Sequence, residues 1–563
     1  MQHSSSVQWR YKKIPDASRI EELSAALNTG RVTSALLLQR GIDSFEAAKS
    51  FFTPSKAHLL SPWLLKDMPI AINRIEEALI KKQKIVIIGD YDVDGTTSTA
   101  FVYGVLKDLG AQVMAYQPQR LTEGYGISLK AIQEAHQQQT SLIISLDCGM
   151  SAADMVQEAK RLGMDFIVVD HHLPSATALP QAIIINPKQA DCPYPFKELS
   201  GCGLAFKLMQ ALSEQMGLDS FLIEDRLDLV ALSIAADIVS LTGENRTLCA
   251  LGLEKLAQRP NLGIKSLMKS AGQGKAIAVS DLVFKVSPLI NAPGRMGSAS
   301  VALHLLLAKS TEEAEAYAQR IFTINQLRRN TERNVCEEAF TQAQTLFAHS
   351  PALVLFDKSW HKGVLGIAAS RCVDRFRKPT IVLSGEGETV VGSGRTLANL
   401  PLYDSIKTCS NYLRGFGGHA FAAGVQLREH DVEAFRGAFI EAIRQTEAFQ
   451  DLVKPFLDID LAVTAEELKP RTVAVINRMG PFGPDLMRPV LSCVVQKPLD
   501  VAVFRGQHLW LKLKLGNDVF EAVGFQMANM AGIVSQGAFE MAFSISEKIN
   551  TQLDLKGLRP CNP

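Results

Sequence analysis

One short segment of this chain concentrates residues that could bind divalent cations. Three carboxylates alternate along Asp90-Tyr91-Asp92-Val93-Asp94-Gly95, and Asp147 and Asp170 each follow another apolar run. Carboxylates gathered in a small volume repel one another unless a cation neutralises them, and hard oxygen ligands suit Mg²⁺ or Mn²⁺. The pattern therefore predicts a divalent-cation site.

A histidine pair and a fourth acidic segment extend this prediction. His171 and His172 follow the apolar run FIVVD, and Asp237 lies among alanine and isoleucine in AADIV. Burying an unpaired carboxylate is costly, so Asp237 is expected to be a metal ligand, with a helix cap or salt bridge as its alternative role. Without thiolates, zinc is less favoured than Mn²⁺ or Mg²⁺. The predicted site comprises Asp90, Asp92, Asp94, Asp147, His171, His172 and Asp237.

A calcium-binding loop begins with the same spacing of aspartates. The EF-hand loop opens with D-x-D-x-D-G and requires a glutamate at its twelfth position. In this chain the twelfth position is Phe101, and the segment before the loop is strand-like and not helical. The EF-hand interpretation is therefore excluded.

The elements that must position these residues are those of a parallel sheet. KIVIIGD (84–90), SLIISLD (141–147) and FIVVD (166–170) are apolar runs rich in Ile and Val, and segments with helical character such as 97–110 and 151–163 alternate with them. This alternation indicates βαβ units in an α/β fold. Each run ends in an aspartate, and open α/β sheets bind ligands at the carboxyl ends of their strands.

The rest of the chain predicts a connecting helix and two further regions. A helix over about 311–348 begins with Ser310 and Glu313 in capping-box spacing. A smaller α/β region follows from PALVLFD (351–357) to a glycine-rich stretch near 415–424, and strand-like segments after Pro455 predict a β-rich domain.

One strand of that β-rich domain alternates leucines with polar or aromatic residues. Residues 508–515 read HLWLKLKL, which places the four leucines on one face and Trp510, Lys512 and Lys514 on the other. An aromatic ring with two cations could contact a nucleic acid, although a plain amphipathic strand has the same pattern.

Composition restricts the classes of protein to consider. A chain of 563 residues is expected to form about two to four domains, and its net charge of +1 means that any polyanion site must be local. The nine dispersed cysteines include no CxxC pair, which is typical of reduced thiols in a cytosolic protein. The N-terminus does not resemble a signal peptide, and no apolar run approaches the ~20 residues that span a bilayer. We expect a cytoplasmic location without a membrane segment.

These motifs resemble the DHH phosphoesterase superfamily. The resemblance rests on DYDVDG, on Asp147 followed by CG, on Asp170-His171-His172 and on AAD at 235–237, while GSGRT (392–396) and FGGHAFAAG (416–424) resemble its DHHA1 domain. Further motifs resemble the bacterial single-strand-specific 5′→3′ DNA exonucleases of that superfamily: TEGYG (122–126), NPK (186–188), LSGCGLAFK (199–207), GENR (243–246), NAPGRM (291–296) and WHKGVLGIAASR (360–371).

The resemblance implies a domain organisation. It divides the chain into an N-terminal segment (1–50), a parallel-sheet DHH catalytic domain (51–308), a connecting helix (309–350), a smaller α/β DHHA1 domain (351–440) and an OB-like nucleic-acid-binding domain (455–563). It also implies an enzyme that degrades single-stranded DNA to mononucleotides in DNA repair and recombination. A single-strand-binding protein and a helicase would be its partners, and the enzyme would be a monomer.

The resemblance also assigns roles to single residues. Two cations, Mn²⁺ or Mg²⁺, would be held by Asp92 and Asp90 on one side and by Asp94, His171 and Asp237 on the other, with Asp147 as the bridge. Ile88 stands where some DHH proteins have a histidine, which weakens the ligand set of the first ion. His172 would contact the scissile phosphate or the leaving oxygen. The predicted substrate contacts are Arg120, Ser393 and Arg395 for the 5′-phosphate, with Asn291, Arg295 and His419 as further contacts.

Two cations ~4 Å apart suit in-line attack of water on a phosphodiester, so no serine or cysteine nucleophile is needed.

Alternatives within the superfamily are phosphodiesterases of cyclic dinucleotides or short oligonucleotides, and pyrophosphatases. A non-catalytic DHH scaffold protein is the alternative from another class; it would be expected to lose metal ligands, which this chain retains.

Overall fold

The described part of the N-terminal region contains one strand and three α-helices. The structure is a computed structural model that describes residues 7–174, 179–270, 277–297, 299–397, 400–419, 421–446, 456–547 and 551–561. Its first elements are β1 (Gln8–Tyr11), α1 (Ala17–Leu27), α2 (Arg31–Leu38) and α3 (Phe45–Phe52). The domain boundary predicted at residue 455 lies outside the described residues.

A five-stranded parallel sheet forms the framework of the next region. Its elements are α4 (Met68–Ile80), β2 (Lys84–Gly89), α5 (Val93–Asp108), β3 (Gln112–Tyr116), α6 (Leu129–Gln137), β4 (Leu142–Leu146), α7 (Ala153–Arg161), β5 (Asp165–Val169) and β6 (Ile183–Ile185). The strand order is β3-β2-β4-β5-β6, and every neighbouring pair is parallel. Two hydrophobic clusters cover the two faces of the sheet. The apolar runs of the sequence are therefore strands buried on both faces, as predicted.

A layer of helices completes this region. It consists of α8 (Gly201–Met216), α9 (Phe221–Glu224), α10 (Leu227–Ala236), α11 (Gly243–Gln258), α12 (Leu262–Ser270), α13 (Val279–Asp281), α14 (Ser287–Arg295) and α15 (Ser300–Leu306). Both α8 and α10 pack on α5, which carries the acidic loop at its N-terminus. Asp237 caps the C-terminus of α10.

The predicted long helix is α16 (Thr311–Leu346), whose 36 residues extend for about 54 Å. Ser310 caps it, since its Oγ accepts a hydrogen bond from the Glu313 N–H at 3.1 Å. In a full capping box the Glu313 carboxylate would also accept a hydrogen bond from the Ser310 N–H. That part of the prediction is wrong, because the carboxylate accepts from the Lys309 N–H, one residue before the cap. The cap still satisfies one of the free N–H groups of the first turn.

The smaller α/β region follows α16. It consists of β7 (Leu353–Phe356), α17 (Leu365–Phe376), β8 (Thr380–Glu386), β9 (Thr389–Arg395), α18 (Leu402–Lys407), β10 (Gly415–Gly418), β11 (Ala422–Leu427) and α19 (Val432–Arg444). The sheet order is β10-β11-β9-β8-β7, with only β7 and β8 parallel. The GSGR motif thus lies at the end of the central strand β9, and α17 packs against β8 and β9.

The C-terminal region is β-rich, as predicted. It consists of β12 (Phe456–Ile459), β13 (Leu461–Ala462), α20 (Pro470–Arg478), β14 (Leu491–Val495), β15 (Asp500–Phe504), β16 (His508–Leu515), β17 (Asp518–Gly524), α21 (Ala531–Ser535), β18 (Phe539–Ile545) and β19 (Gln552–Pro560). Seven strands form one sheet in the order β13-β14-β18-β19-β17-β16-β15.

The N-terminal region packs on this C-terminal sheet. β1 pairs in parallel with β12, and Arg10 binds Asp458 through two guanidinium nitrogens at 2.5 and 2.9 Å. Apolar side chains of α1, α2 and α3 share one hydrophobic cluster with the sheet. The two ends of the chain thus build one core. No helix among the described residues is both long and apolar enough to cross a bilayer.

Candidate active site

Three aspartates meet at one edge of the parallel sheet because neighbouring strands end in register. Gly89 of β2 pairs with Leu146 of β4, which pairs with Val169 of β5. The residues that follow are Asp90, Asp147 and Asp170, and all three are buried. The carboxyl ends of the strands therefore carry the acids, as the sequence predicts.

The acidic loop connects β2 to α5. Asp92 caps the helix, since its Oδ1 accepts a hydrogen bond from the Gly95 N–H at 3.0 Å. A Cβ at Gly95 would lie 2.6 Å from the Asp90 nitrogen. Glycine is thus required, because the loop turns back onto its own first residue.

Asp94 is held by two elements that are distant in sequence. Its carboxylate accepts hydrogen bonds from the Gly201 and Cys202 N–H groups at 2.7 and 2.8 Å, and from the Ser233 hydroxyl at 2.7 Å. The first two donors lie at the N-terminus of α8, where the helix dipole favours a negative charge. Asp94 therefore keeps a fixed orientation. The LSGCG motif was recognised in the sequence, but its role as an anchor for Asp94 was not.

Asp147 has a left-handed backbone, with φ of +59°. This conformation is uncommon outside glycine and turns the side chain beside α8. A Cβ at Gly201 would lie 2.9 Å from the Asp147 Cβ, so only glycine allows this approach.

His171 lies at the centre of the acids. Its Nε2 lies 3.2 Å from an Asp147 oxygen, 3.6 Å from one of Asp237 and 3.8 Å from one of Asp94. Neither ring nitrogen of His171 has a hydrogen-bond partner among the described residues. Burial lowers the pKa of His171, which favours the neutral imidazole that binds metals.

The acids are electrostatically unsatisfied. Burial and the neighbouring carboxylates raise the pKa of Asp90, Asp92 and Asp147, and raise that of Asp237 to about 8. Within the described residues, one buried oxygen of Asp90 and one of Asp147 have no hydrogen-bond partner. Such groups are rare in folded proteins unless an ion or water completes them.

The arrangement fits bound divalent cations. Two sets of ligand atoms, each within 4.8 Å of one another, are Asp94-His171-Asp237 and Asp90-Asp92-Asp147, and a third set joins Asp147 and His171 to His172. Oxygen-rich sets with one imidazole suit Mn²⁺ or Mg²⁺. All seven predicted residues thus belong to these sets.

His172 differs from His171 in its partners. Its Nδ1 lies 2.7 Å from Asp170 Oδ1, and its Nε2 lies 3.4 Å from the Tyr125 hydroxyl. Burial disfavours the charged ring, but the Asp170 carboxylate outweighs it and the pKa of His172 rises to about 9. Asp170 is itself oriented by the Met150 N–H. A fixed, positively charged imidazolium at this place suits a phosphate oxygen better than a metal ion.

The NPK motif was recognised in the sequence without a role for its residues. The Asn186 side-chain amide donates a hydrogen bond to the His172 carbonyl at 2.9 Å. This bond helps to fix the backbone of the histidine pair. Lys188 is near enough for its positive charge to lower the pKa of both His171 and Asp237. The NPK motif was the sequence signal for these two residues, but it did not indicate which groups they contact.

A second cluster, of arginines, lies beside the acidic loop. Arg120 packs over the ring of Tyr91, with its guanidinium carbon 5.3 Å from the ring centre. Arg395 donates to the Ser393 hydroxyl at 3.1 Å, and Arg295 donates to the Gly363 carbonyl at 3.3 Å. The positive charge of Arg120 acts on both of the other two. The structure therefore gathers residues from three distant segments around one point.

The guanidinium groups of this arginine cluster form no close ion pair. Within the described residues, no carboxylate lies within 4.0 Å of those of Arg120, Arg295 or Arg395. Asp92 and Asp90 act on Arg295 and Arg120 only at longer range. Burial, together with the charges of neighbouring arginines, lowers the pKa of Arg295 to about 10. A cavity of about 200 Å³ lies against Arg295 and Arg395. Guanidinium groups without a paired carboxylate beside a cavity suit an anion such as a phosphate.

The two remaining predicted substrate contacts differ in their surroundings. Asn291 lies on α14, one helical turn before Arg295, so both side chains are on the same helix face. His419 is exposed in the turn between β10 and β11, where its N–H donates to the Ala422 carbonyl.

The predicted nucleic-acid face of the C-terminal sheet has a mixed charge. On β16 the four leucines are buried, Trp510 is half-buried, and Lys512 and Lys514 are exposed. Lys512 is paired in register with Asp500 of β15 and Glu521 of β17. Two acids thus flank this lysine, which the strand sequence alone did not indicate.

Comparison with known proteins places these features in a family. The chain matches the family models for the N-terminal domain of the DHH family at residues 84–234, the DHHA1 domain at 349–445 and the RecJ OB domain at 459–552. It is 35% identical over 539 residues to the single-stranded-DNA-specific exonuclease RecJ of Bacillus subtilis strain 168, covering 94% of this chain and 67% of the relative. The chain belongs to the RecJ family.

Solved RecJ structures agree with this assignment. RecJ of Thermus thermophilus in complex with Mn²⁺ superposes with a TM-score of 0.84 at 26% identity, covering all of this chain and 81% of the other. The same protein in complex with Mg²⁺ gives a TM-score of 0.78 at 25% identity, covering 99% and 79%. The RecJ-family fold extends over the parallel-sheet region, the long helix, the DHHA1 region and the β-rich C-terminal region.

Proposed function

We propose that this chain is a Mn²⁺- or Mg²⁺-dependent exonuclease that degrades single-stranded DNA from its 5′ end to mononucleotides. The observation that carries the proposal is the adjacency of two clusters of opposite charge. The acidic loop between β2 and α5 contributes Asp90 and Asp92 to one cluster and, through Tyr91, contacts Arg120 of the other. An enzyme with cation ligands beside an anion pocket can hold a DNA end and cleave the bond next to it.

In this proposal the acids and His171 hold two cations. Asp94, His171 and Asp237 would hold one ion, Asp92 and Asp90 the other, and Asp147 would contact both. When bound, such cations supply Lewis-acid stabilisation and lower the pKa of water. Ile88 is fully buried in the sheet and has no ligand atom. The ion at the acidic loop would therefore be held by Asp90 and Asp92, together with Asp147.

The other residues of the site act on the substrate. The His172 imidazolium, oriented by Asp170, would donate a hydrogen bond to a phosphate oxygen at the scissile bond and stabilise the charge that develops there. Arg120, Ser393 and Arg395 would bind the terminal phosphate, with Arg295 and Asn291 beside them and His419 as a further contact from the β10–β11 turn. The distance from the phosphate pocket to the metal-binding acids would then determine how many nucleotides each cleavage releases.

The activity can be tested with end-labelled DNA. Purified protein with Mn²⁺ is expected to release mononucleotides from the free 5′ end of single-stranded DNA and to leave blunt duplexes nearly intact. An Asp94→Ala variant serves as the inactive control. Activity that persists in EDTA, in the Asp94→Ala variant, or equally on 3′ ends of strands with blocked 5′ ends would contradict the proposal.

The role of the phosphate pocket predicts a separate outcome. Replacing Arg395 by alanine removes a guanidinium able to form two hydrogen bonds to phosphate oxygens. We expect kcat/KM on 5′-phosphorylated strands to fall by about 10- to 100-fold, while strands with a 5′-hydroxyl are affected much less. The measurement is the ratio of kcat/KM for the two ends. An unchanged ratio and unchanged product length would remove Arg395 from the pocket.

The domain organisation follows from the same proposal. Residues 51–308 would form the catalytic DHH domain, 309–350 the connecting helix, 351–440 the DHHA1 domain and 455–563 an OB-like domain that guides the strand through Trp510, Lys512 and Lys514. The described part of the N-terminal segment 1–50 packs on the C-terminal sheet. We further propose a cytoplasmic monomer supplied by a single-strand-binding protein and a helicase. The nine cysteines are free, which suits a reducing compartment.

A further inference from the structure

The cavity beside Arg395 continues past the proposed site of the terminal phosphate. It runs along α17 and is lined by Arg295, Gly366, Ile367, Ser370, Arg371, Asp374 and Arg395. From Gly366 to Asp374 the helix rises by about 12 Å. A Cβ at Gly366 would lie 2.9 Å from an Arg395 nitrogen and 3.0 Å from the Ser393 hydroxyl, so the inner end of the cavity is the proposed phosphate pocket itself.

The outer end of the cavity is polar and open. Ser370 and Arg371 lie one turn further along α17, and the Arg371 side chain is 60% exposed. Arg371 lies 3.5 Å from Glu332 of α16, which also binds Arg328 at 2.5 Å. The cavity thus leads from a buried group of arginines along α17 to the exposed Arg371.

Charge along this cavity exceeds what one phosphate can neutralise. Arg295, Arg371 and Arg395 line the cavity, and the charge of Arg120 acts on Arg295 and Arg395. Glu332 is bound to Arg328, and Asp90 and Asp92, which act on Arg120 and Arg295, would be neutralised by the cations of the proposed function. These four arginines then face the single carboxylate of Asp374, so about three positive charges stay unmatched. A terminal phosphate carries about −1.5 to −2 charges at pH 7. The first turn of α17 adds further positive potential at the inner end.

We propose that the pocket also accepts 5′ ends of single-stranded DNA that carry a diphosphate or triphosphate. This inference rests on the proposed function. The innermost phosphate would be bound by Arg395 and Ser393, and the outer phosphates would lie along α17 toward Ser370 and Arg371. Asp374 opposes the added charge and limits how far the outer phosphates extend.

Cleavage at such an end is the hydrolysis of one phosphodiester bond, as at any other 5′ end. Water attacks the phosphorus between the first and second nucleotides, and the bond from that phosphorus to the 3′ oxygen of the first nucleotide breaks. The 3′ oxygen gains a proton, and the first nucleotide leaves with its 5′ phosphates unchanged. The remaining strand has a new 5′-monophosphate. Only the first turnover therefore distinguishes a triphosphate end from a monophosphate end.

The test measures this first turnover. One DNA oligonucleotide is prepared with a 5′-hydroxyl, a 5′-monophosphate or a 5′-triphosphate, and the full-length protein with Mn²⁺ is placed in excess over it. We expect triphosphate ends to be cleaved within about threefold of the monophosphate rate, with a nucleoside triphosphate as the product seen by mass spectrometry. Triphosphate ends cleaved no faster than hydroxyl ends, or cleaved only after loss of the outer phosphates, would overturn the inference.

Two variants of α17 make the test specific. Arg371→Ala is expected to lower the triphosphate-to-monophosphate rate ratio by about five- to tenfold, and Asp374→Asn to raise it. The matched control is Arg444→Ala, another arginine whose side chain is 60% exposed and whose ion pair is with Glu441 of α19. An unchanged ratio in both α17 variants would also overturn the inference. A failure of the proposed function would look different, since the monophosphate end would then not be cleaved, or would be cleaved no faster than the hydroxyl end.

Discussion

Replacing Asp147 by asparagine is expected to lower kcat by about 10³-fold or more and, at the same time, to make the metal-free protein more stable. Asp147 belongs to two of the three possible ligand sets, so its loss weakens the hold on both cations. In the metal-free protein, its charge is repelled by Asp94, Asp92, Asp237 and Asp90. Asparagine has nearly the same shape without the charge and tolerates the left-handed backbone at this position.

The stability effect of this substitution has a defined pH dependence. Burial and neighbouring carboxylates raise the folded-state pKa of Asp147 well above its usual value near 3.9. The folded wild type therefore holds this proton more tightly than the unfolded chain, and it loses stability as pH rises from about 4. Asparagine does not ionise, so the variant does not lose stability in this way as pH rises. In EDTA, the melting temperatures should converge near pH 4, with the variant higher at pH 7.

Metal should reverse this order. Saturating Mn²⁺ stabilises the wild type, by about 2.7 kcal/mol when its concentration is 100 times Kd, and should stabilise the variant much less. Asp485→Asn is the matched control, because Asp485 is also left-handed, with φ of +59°, but is exposed in the C-terminal region. It should change neither activity nor the response to Mn²⁺. A metal-free Asp147→Asn protein that melts below the wild type at pH 7 would contradict repulsion among the acids.

The second large effect is expected at a buried ion pair of the catalytic region. Lys207 of α8 and Glu244 of α11 lie 2.7 Å apart, with side chains 0% and 3% exposed. Glu244 also accepts from the Leu60 N–H at 2.8 Å and from the Tyr194 hydroxyl, while Lys207 donates to the Leu60 carbonyl at 2.7 Å. These bonds join the two helices to the segment before α4. Burial lowers the pKa of Lys207, and Glu244 partly offsets this.

Glu244→Ala is expected to destabilise this region by about 3–5 kcal/mol, because it leaves a buried ammonium group without its partner. The measurement is hydrogen exchange of the α8 and α11 amides, which reports the free energy of local opening. Since α8 supplies the N–H groups that hold Asp94, activity should also fall at moderate temperature.

A double variant tests the cause. Lys207→Met with Glu244→Gln removes both charges, and we expect it to recover a large part of the stability lost in Glu244→Ala. The exposed pair Glu158 and Arg161, whose nitrogens and oxygens lie 2.7 Å apart, is the control, and Glu158→Ala should have little effect. Equal losses in the single and double variants would show that packing, and not the unpaired charge, determines the stability here.

The amino-acid sequence by itself determined the metal-binding edge of the sheet. Apolar runs of five or six residues specify buried parallel strands, and an acid after each run must reach the same edge. The alternation at 508–515 likewise determined which face of β16 is buried, because side chains of a strand alternate with a period of two. Both conclusions depend only on local periodicity.

Tertiary structure alone decided the partners of these residues. Nothing near Asp94 in sequence indicates that the N-terminus of α8 and the Ser233 hydroxyl hold it. The N-terminal helices could not be assigned to the C-terminal core from their own pattern, since an amphipathic helix shows that it has an apolar face but not what covers it.

The arginine cluster depends on tertiary structure in the same way. Arg120, Arg295 and Arg395 were predicted to contact substrate from their motifs, but the cavity along α17 that continues to Arg371 depends on how α14, β9 and α17 pack together. Such long-range contacts arise from side chains that are far apart in the chain. The types and spacing of residues therefore determine which chemistry is available, and the packing of distant elements determines what each group can reach.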